Sequence, residues 1–355
     1  MVRRKRNLVG LLLWLLGNLA VAQTSPPHLS EQNGPGISPP DRTNDAHASL
    51  LPAAPPLLIE PKSDSAANLS PAAIGWGNLI VPGLGATLRG KTGEGLLEAV
   101  TEIGLFYGGT FGVREGGFTI DSTVKIPEHG SLYRPLLGQT MQEIGLKLHM
   151  YDTFYHYQQV CRQQANSARE QSNPQPLYQG SWSDTLLAPF RWKNFREPWV
   201  WGVVLATTAY EFYDYRTTTV ARNYYQPTTA ENTLEGANSI AVIPLGSSFG
   251  EEVLFRGFIE RELRGYTGSL ILADALQATA FMLLHPPENR AIAFTGGLYF
   301  GFLADRFHGD LEPSIAAHFW VDAISGFFSY LQFRRAQGKN TPFAPPLGMR
   351  VSMPF

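Results

Sequence analysis

Apolar residues recur along this chain in blocks separated by charged or proline-rich intervals, and the block lengths predict helices rather than strands. After the basic start Arg3, Arg4, Lys5 and Arg6, an apolar run extends from Leu8 to Ala22. Residues 23–72 keep no apolar period and hold the pairs Pro26-Pro27, Pro39-Pro40 and Pro55-Pro56, which predicts an unstructured linker. Two glycine-punctuated apolar blocks follow, Ile74 to about Leu88 and about Gly95 to Val113, split by Arg89 and Lys91. That spacing suits a tight helical hairpin. From Leu136 to Val160 the pattern is amphipathic and aromatic, with Lys147, His149 and His156 interspersed. Residues 161–196 read as a polar loop ending in Arg191, Trp192, Lys193 and Arg196, a group suited to a lipid headgroup interface. Pro198 then opens a helix to about Tyr210, and further apolar segments occupy roughly 237–259, 269–285, 291–307 and 312–333.

Most of these segments are shorter or more polar than the roughly 20 apolar residues of a simple membrane span. A bundle with a wet interior accounts for that, so the expected fold is all-α: a polytopic transmembrane helix bundle with a polar interior site, preceded by a disordered exported linker. The expected divisions are a signal peptide over 1–22, the linker over 23–72, a membrane-associated helical region over 73–197, the bundle over 198–335 and a tail over 336–355. A soluble helical domain is the competing reading.

Composition sharpens this picture in three places. A formal net charge of −2 offers no basic surface for nucleic acid. The N-terminal charge, apolar run and Ala20-Val21-Ala22 end form a secretory signal pattern, which predicts a bacterial inner-membrane protein with an exported N-terminus; an uncleaved anchor is the alternative. Cys161 is the only cysteine, so packing rather than an intrachain disulfide must hold the fold. The mean hydropathy of −0.11 is modest because the polar arm dilutes it.

Ionisable groups inside apolar blocks are costly unless paired, which makes them functional candidates. Residues 250–257, Gly-Glu-Glu-Val-Leu-Phe-Arg-Gly, hold three. Glu252 and Arg256 lie four apart on one helical face and form a natural ion pair, while Glu251, about 100° round the helix, is left free. The next segment carries Phe281 and His285, with Pro286-Pro287 ending the helix just beyond the histidine. The last carries His318 and Asp322, again on one face. A carboxylate and two imidazoles, Glu251, His285 and His318, could hold a divalent metal such as zinc or iron. A Glu–His pair could equally activate water without one. Taken singly, each has a plainer account as a packing histidine or a helix ion pair.

Together, Glu251-Glu252-x-x-x-Arg256, Phe281-x-x-x-His285 and His318-x-x-x-Asp322 resemble the three motifs of the CAAX prenyl protease and bacteriocin-processing family, the type II CAAX endopeptidase-like intramembrane proteases. The glycine-rich stretch over 295–322 is similar to that family's penultimate helix, turn and histidine-bearing last helix. The resemblance covers about residues 198–335. It implies Glu251 and His285 as the water-activating pair, and His318 with Asp322 on the oxyanion or metal side. Glu252, Arg256 and Phe281 are implied as structural support. It further implies hydrolysis of a peptide or protein substrate in or at the lipid bilayer. Asp322 stands where the family often has asparagine, and an ionised aspartate cannot donate to an oxyanion. Burial is expected to raise the carboxylate pKa and to keep the histidines near neutral.

Two other readings compete. Gly246-Ser247-Ser248-Phe249-Gly250 fits a G-x-S-x-G nucleophile elbow, which needs a strand before Ser248 and a helix after it. A catalytically silent membrane scaffold of the same fold is the non-enzyme alternative. No H-E-x-x-H zinc motif and no Walker phosphate loop occurs. His308 and Asp310 read as an exposed turn.

Overall fold

A computed structural model describes residues 69–115, 131–168, 178, 180–218 and 227–337. The expected signal peptide, the linker up to residue 68 and the tail from 338 lie outside these residues. Among the described residues the fold is all-α. No described helix is long and apolar enough to cross a membrane. The expected polytopic spans are therefore not found there, because charged and polar residues interrupt every long helix.

The first part is a helical hairpin. α1 (Pro71–Ile80) and the short α2 (Leu84–Leu88) lead into α3 (Thr92–Glu115), which runs antiparallel to α4 (Tyr133–Ala168). Glycines let the α3 and α4 backbones touch. A Cβ added at Gly138 would stand 2.6 Å from the Gly109 carbonyl oxygen. Residues 161–196, expected as a loop, are in part helical. α4 continues to Ala168, and α5 (Trp182–Leu186) and α6 (Trp192–Phe195) follow. Ser181 and Asp184 form a capping box that starts α5.

The second part starts with α7 (Pro198–Thr217), where proline at the first helical position fits its fixed φ. A continuous rod then runs from Thr229 to Thr267, beginning with a Thr228–Glu231 capping box. It comprises α8 (Thr229–Ala237), a π segment Asn238–Val242, α9 (Ile243–Glu252), a second π segment Val253–Ile259 and α10 (Glu260–Thr267). π turns often mark functional sites, and the second begins directly after Glu251 and Glu252. Gly268 ends the rod with φ 62°, a left-handed conformation that glycine adopts without a Cβ penalty. α11 (Leu270–Leu283), α12 (Arg290–Arg306) and α13 (Glu312–Gln337) complete the bundle.

The main core forms where α4, the second π segment and α13 meet, around Phe154, Tyr157, Phe255, Phe258, Phe281 and Ile315. Each such side chain contributes about 1.5–3 kcal/mol by leaving water. Arg191 pairs with Asp184 at 2.5 Å and with Glu312 at 2.6 Å. Lys193 reaches Asp310 at 3.0 Å and Glu312 at 3.1 Å. These contacts fasten the α5–α6 segment to the start of α13.

Candidate functional site

Four elements converge on one cluster. The end of α9 supplies Glu251 and Glu252, the π segment supplies Arg256, the turn after α11 supplies His285, and α13 supplies His318 and Asp322. Arg256 donates to Glu252 at 2.9 Å and to the Gly297 carbonyl at 2.8 Å, with both charged side chains fully buried. Its guanidinium lies 4.9 Å from the Phe281 ring centre and 5.5 Å from that of Phe300, within cation–π range. Glu252 also accepts from His318 Nδ1 at 2.8 Å. His318 Nε2 lies 3.3 Å from Asp322 and 3.8 Å from Glu251. Phe300 stacks on the His318 ring at 4.6 Å and 14°, which fixes its plane.

His285 is oriented differently. Its Nδ1 is 2.8 Å from the Phe281 carbonyl oxygen, four residues back. A carbonyl only accepts, so Nδ1 carries the hydrogen and, in the neutral ring, the lone pair sits on Nε2. The Phe281 and His285 rings are 4.6 Å apart, which holds the imidazole against the helix end. His285 stands near enough to Glu251 to favour that carboxylate's charge.

A residue that none of the motifs contains completes the cluster. Lys147, midway along α4, donates to Glu251 at 2.5 Å and lies 3.8 Å from Glu143, with almost all of its side chain buried. Sequence reasoning placed Lys147 on an amphipathic helix without a role. Nothing local distinguishes it from a solvated lysine, since its partner is 104 positions away.

The electrostatics run against the expectation for Glu251 and for His318. Burial penalises the Glu251 carboxylate, but the Lys147 ammonium, with help from His318 and His285, holds its pKa down at about 2. Burial likewise works against a charged His318, yet Asp322 and Glu252 outweigh it and raise the imidazole to about 10. The sequence reading considered burial alone; in the fold, each charge is buried beside an opposite one.

A metal on Glu251, His285 and His318 would have to share Glu251 with the Lys147 ammonium, which stands on Oε1. It would meet His318 at Nε2, since Nδ1 is held by Glu252. Among the described residues, carboxylate and imidazole atoms converge elsewhere, at Glu94, Glu98 and His156. There Arg89 donates to His156 Nδ1 at 2.8 Å, so in the neutral ring the proton sits on Nε2, facing Glu98 at 3.0 Å. A metal ligand would need that nitrogen bare.

Ser248 is not a nucleophile elbow. It lies inside α9, fully buried, with its hydroxyl donating to the Leu245 carbonyl at 3.2 Å. The flanking glycines serve packing instead: at Gly250 an added Cβ would stand 3.0 Å from Lys147 Cβ and Cδ, and at Gly246 3.4 Å from Lys147 Cγ. His308, at φ 55°, sits in the α12–α13 turn and, with Arg256, lines a cavity of about 400 Å³. Tyr157, Glu260, Arg261 and Asp305 also line it, whereas Glu251, His285 and His318 do not.

Residues 235–324 match the Rce1-like family model, type II CAAX prenyl endopeptidase. No curated protein and no solved structure matches the chain significantly. The matched stretch ends before the tail of α13 and excludes α4, and it contains Glu251, Arg256, His285, His318 and Asp322. Over residues 235–324, about a quarter of its length, this chain is similar to the Rce1-like, type II CAAX prenyl endopeptidase family.

Proposed function

We propose that the chain is a peptidase that hydrolyses a peptide bond in a substrate presented at a bilayer. The observation that carries this reading is the convergence of Glu251, His285, His318 and Asp322 from three separate elements within a family-matched stretch. His285 Nε2 is the base: it takes a proton from water as the water oxygen attacks the carbonyl carbon. Glu251, ionised, orients that water and stabilises the imidazolium formed on His285. His318, doubly protonated, turns its Nε2–H from Asp322 to the developing oxyanion. Collapse of the tetrahedral adduct breaks the C–N bond, and His285 returns the proton to the leaving amine. Asp322 holds His318 charged and is not itself an oxyanion donor, which gives an aspartate a use at this position. No metal step is needed in this scheme.

The bilayer setting is supported by the apolar side chains that the bundle leaves uncovered. Leu96, Leu97, Val100, Tyr107 and Phe111 are exposed along α3, and Leu205, Tyr210 and Phe212 along α7. Exposed apolar surface of this extent marks a lipid or protein contact.

A scaffold reading draws on one specific observation: Glu251 is already tied to Lys147, so the polar cluster is also a closed ion-pair network. One comparison separates the two. Peptide termini from cells expressing the wild type are set against those from cells expressing a folded Glu251→Gln variant. Termini that disappear with the variant support the peptidase and name its substrate. Identical termini, with the variant still rescuing a deletion phenotype, leave the scaffold.

A further inference from the structure

We propose that Lys147 is a positioning residue of this peptidase site: its ammonium holds the Glu251 carboxylate in place, so α4, outside the family-matched stretch, completes the site. The inference rests on the peptidase reading. Three observations carry it. The Nζ–carboxylate distance is 2.5 Å with both side chains largely buried, and a buried ammonium persists only when paired. The rod is shaped for this lysine, because Gly246 and Gly250, four apart on α9, form the groove in which its stem lies. Finally, the lysine faces acidic groups on every side that carries one: Glu143 on its own helix, Glu251 on α9 and Asp322 on α13.

The arrangement divides the labour. Glu251, Glu143, Glu252 and Asp322 would place several carboxylates around His285 and His318, with Arg256 compensating only Glu252 directly. Lys147 compensates Glu251. It keeps that carboxylate ionised and fixes one oxygen, Oε1, which leaves Oε2 facing His318 Nε2 at 3.8 Å.

The test uses the full-length chain and a mixture of internally quenched peptides as substrate, read as kcat/KM against pH. In Lys147→Met, burial acts on Glu251 without its cation, so the carboxyl protonates at higher pH. From about 2 the Glu251 carboxyl then rises by about five units, to near neutrality, so a second group joins the acid limb of the profile: kcat/KM at pH 6 falls about tenfold or more, with a smaller loss at pH 8. Lys147→Arg keeps the charge and the acid limb. Since Lys147→Met leaves Glu143 buried beside Glu251, the double variant Glu143→Gln/Lys147→Met provides the same comparison if the single variant does not fold. A folded variant of either kind with an unmoved acid limb overturns the assignment and leaves the peptidase reading intact. A wild type that cleaves no peptide, no better than Glu251→Gln, overturns the peptidase reading and the role of Lys147 with it.

Discussion

His318 has both ring nitrogens committed to carboxylates, Nδ1 to Glu252 at 2.8 Å and Nε2 to Asp322 at 3.3 Å. Its pKa, raised to about 10, makes a claim about stability. A group whose folded pKa lies above its unfolded value near 6.5 stabilises fully below that value, and the contribution disappears as pH rises through the folded one. The thermal midpoint should therefore fall as pH rises from about 7 to 10, and His318→Gln should flatten that slope. Glu251 behaves in the opposite sense. Its depressed pKa of about 2 gives stability that is present above about 4.5 and lost on acidification towards 2. Glu251→Gln should cost on the order of 10²- to 10⁴-fold in peptide hydrolysis, the usual worth of a group assisting proton transfer. Ser248→Ala should leave hydrolysis unchanged within about threefold, because the change removes only one hydrogen bond worth about 1 kcal/mol. Loss of all turnover in that variant would revive the serine reading.

At the scale of elements, the rod from Thr229 to Thr267 sets the geometry. Its two π segments shift the register of side chains that a regular helix would have carried round. The sequence pattern divided this stretch at about 237 and 259 because the apolar content changes there, although the backbone is continuous from Thr229. α13 crosses the first π segment at Gly326, where an added Cβ would stand 1.7 Å from the Ser239 carbonyl oxygen. Backbone cannot yield as a side chain can, so Gly326→Ala should destabilise the fold by about 1–3 kcal/mol, read as a lowered thermal midpoint. Since α13 carries His318, activity should fall in the same variant. The glycines of the Gly246–Gly250 motif were legible as a pattern, but their use was not. Two glycines four residues apart suit both a nucleophile elbow and a groove for a crossing helix, and only the helix that crosses there distinguishes them.

At the scale of the molecule, the hairpin of α3 and α4 leans its polar face inward and its apolar face outward. Glu102 pairs with His149 at 2.7 Å, while Leu96, Leu97, Val100 and Phe111 remain uncovered. A membrane-associated chain with that outer surface should stay in the pellet after a carbonate wash; release into the supernatant would require a protein partner for those faces instead. Chelation belongs to this scale as well. With an ammonium on Glu251 and a protonated Nε2 on His156, hydrolysis should survive exhaustive treatment with a chelator, and a loss restored by added zinc would overturn the charge assignment.

Helix existence, the approximate ends of α11, α12 and α13, and the three motifs were all written locally. Apolar period, proline and glycine stops and i,i+4 spacing act over a few residues, and the sequence contains them in full. The Glu252–Arg256 pair belongs with them, since four residues on one helix fix it. What the tertiary structure decided is everything that depends on distant neighbours: which carboxylate Lys147 pairs with, that His318 is charged, and that Ser248 is buried in a helix. The physical reason is that a side chain's charge state is set by the net field of the groups packed around it. Burial, which can be guessed from an apolar pattern, pushes one way here, and the opposite charges that folding brings within 4 Å of it push further the other way.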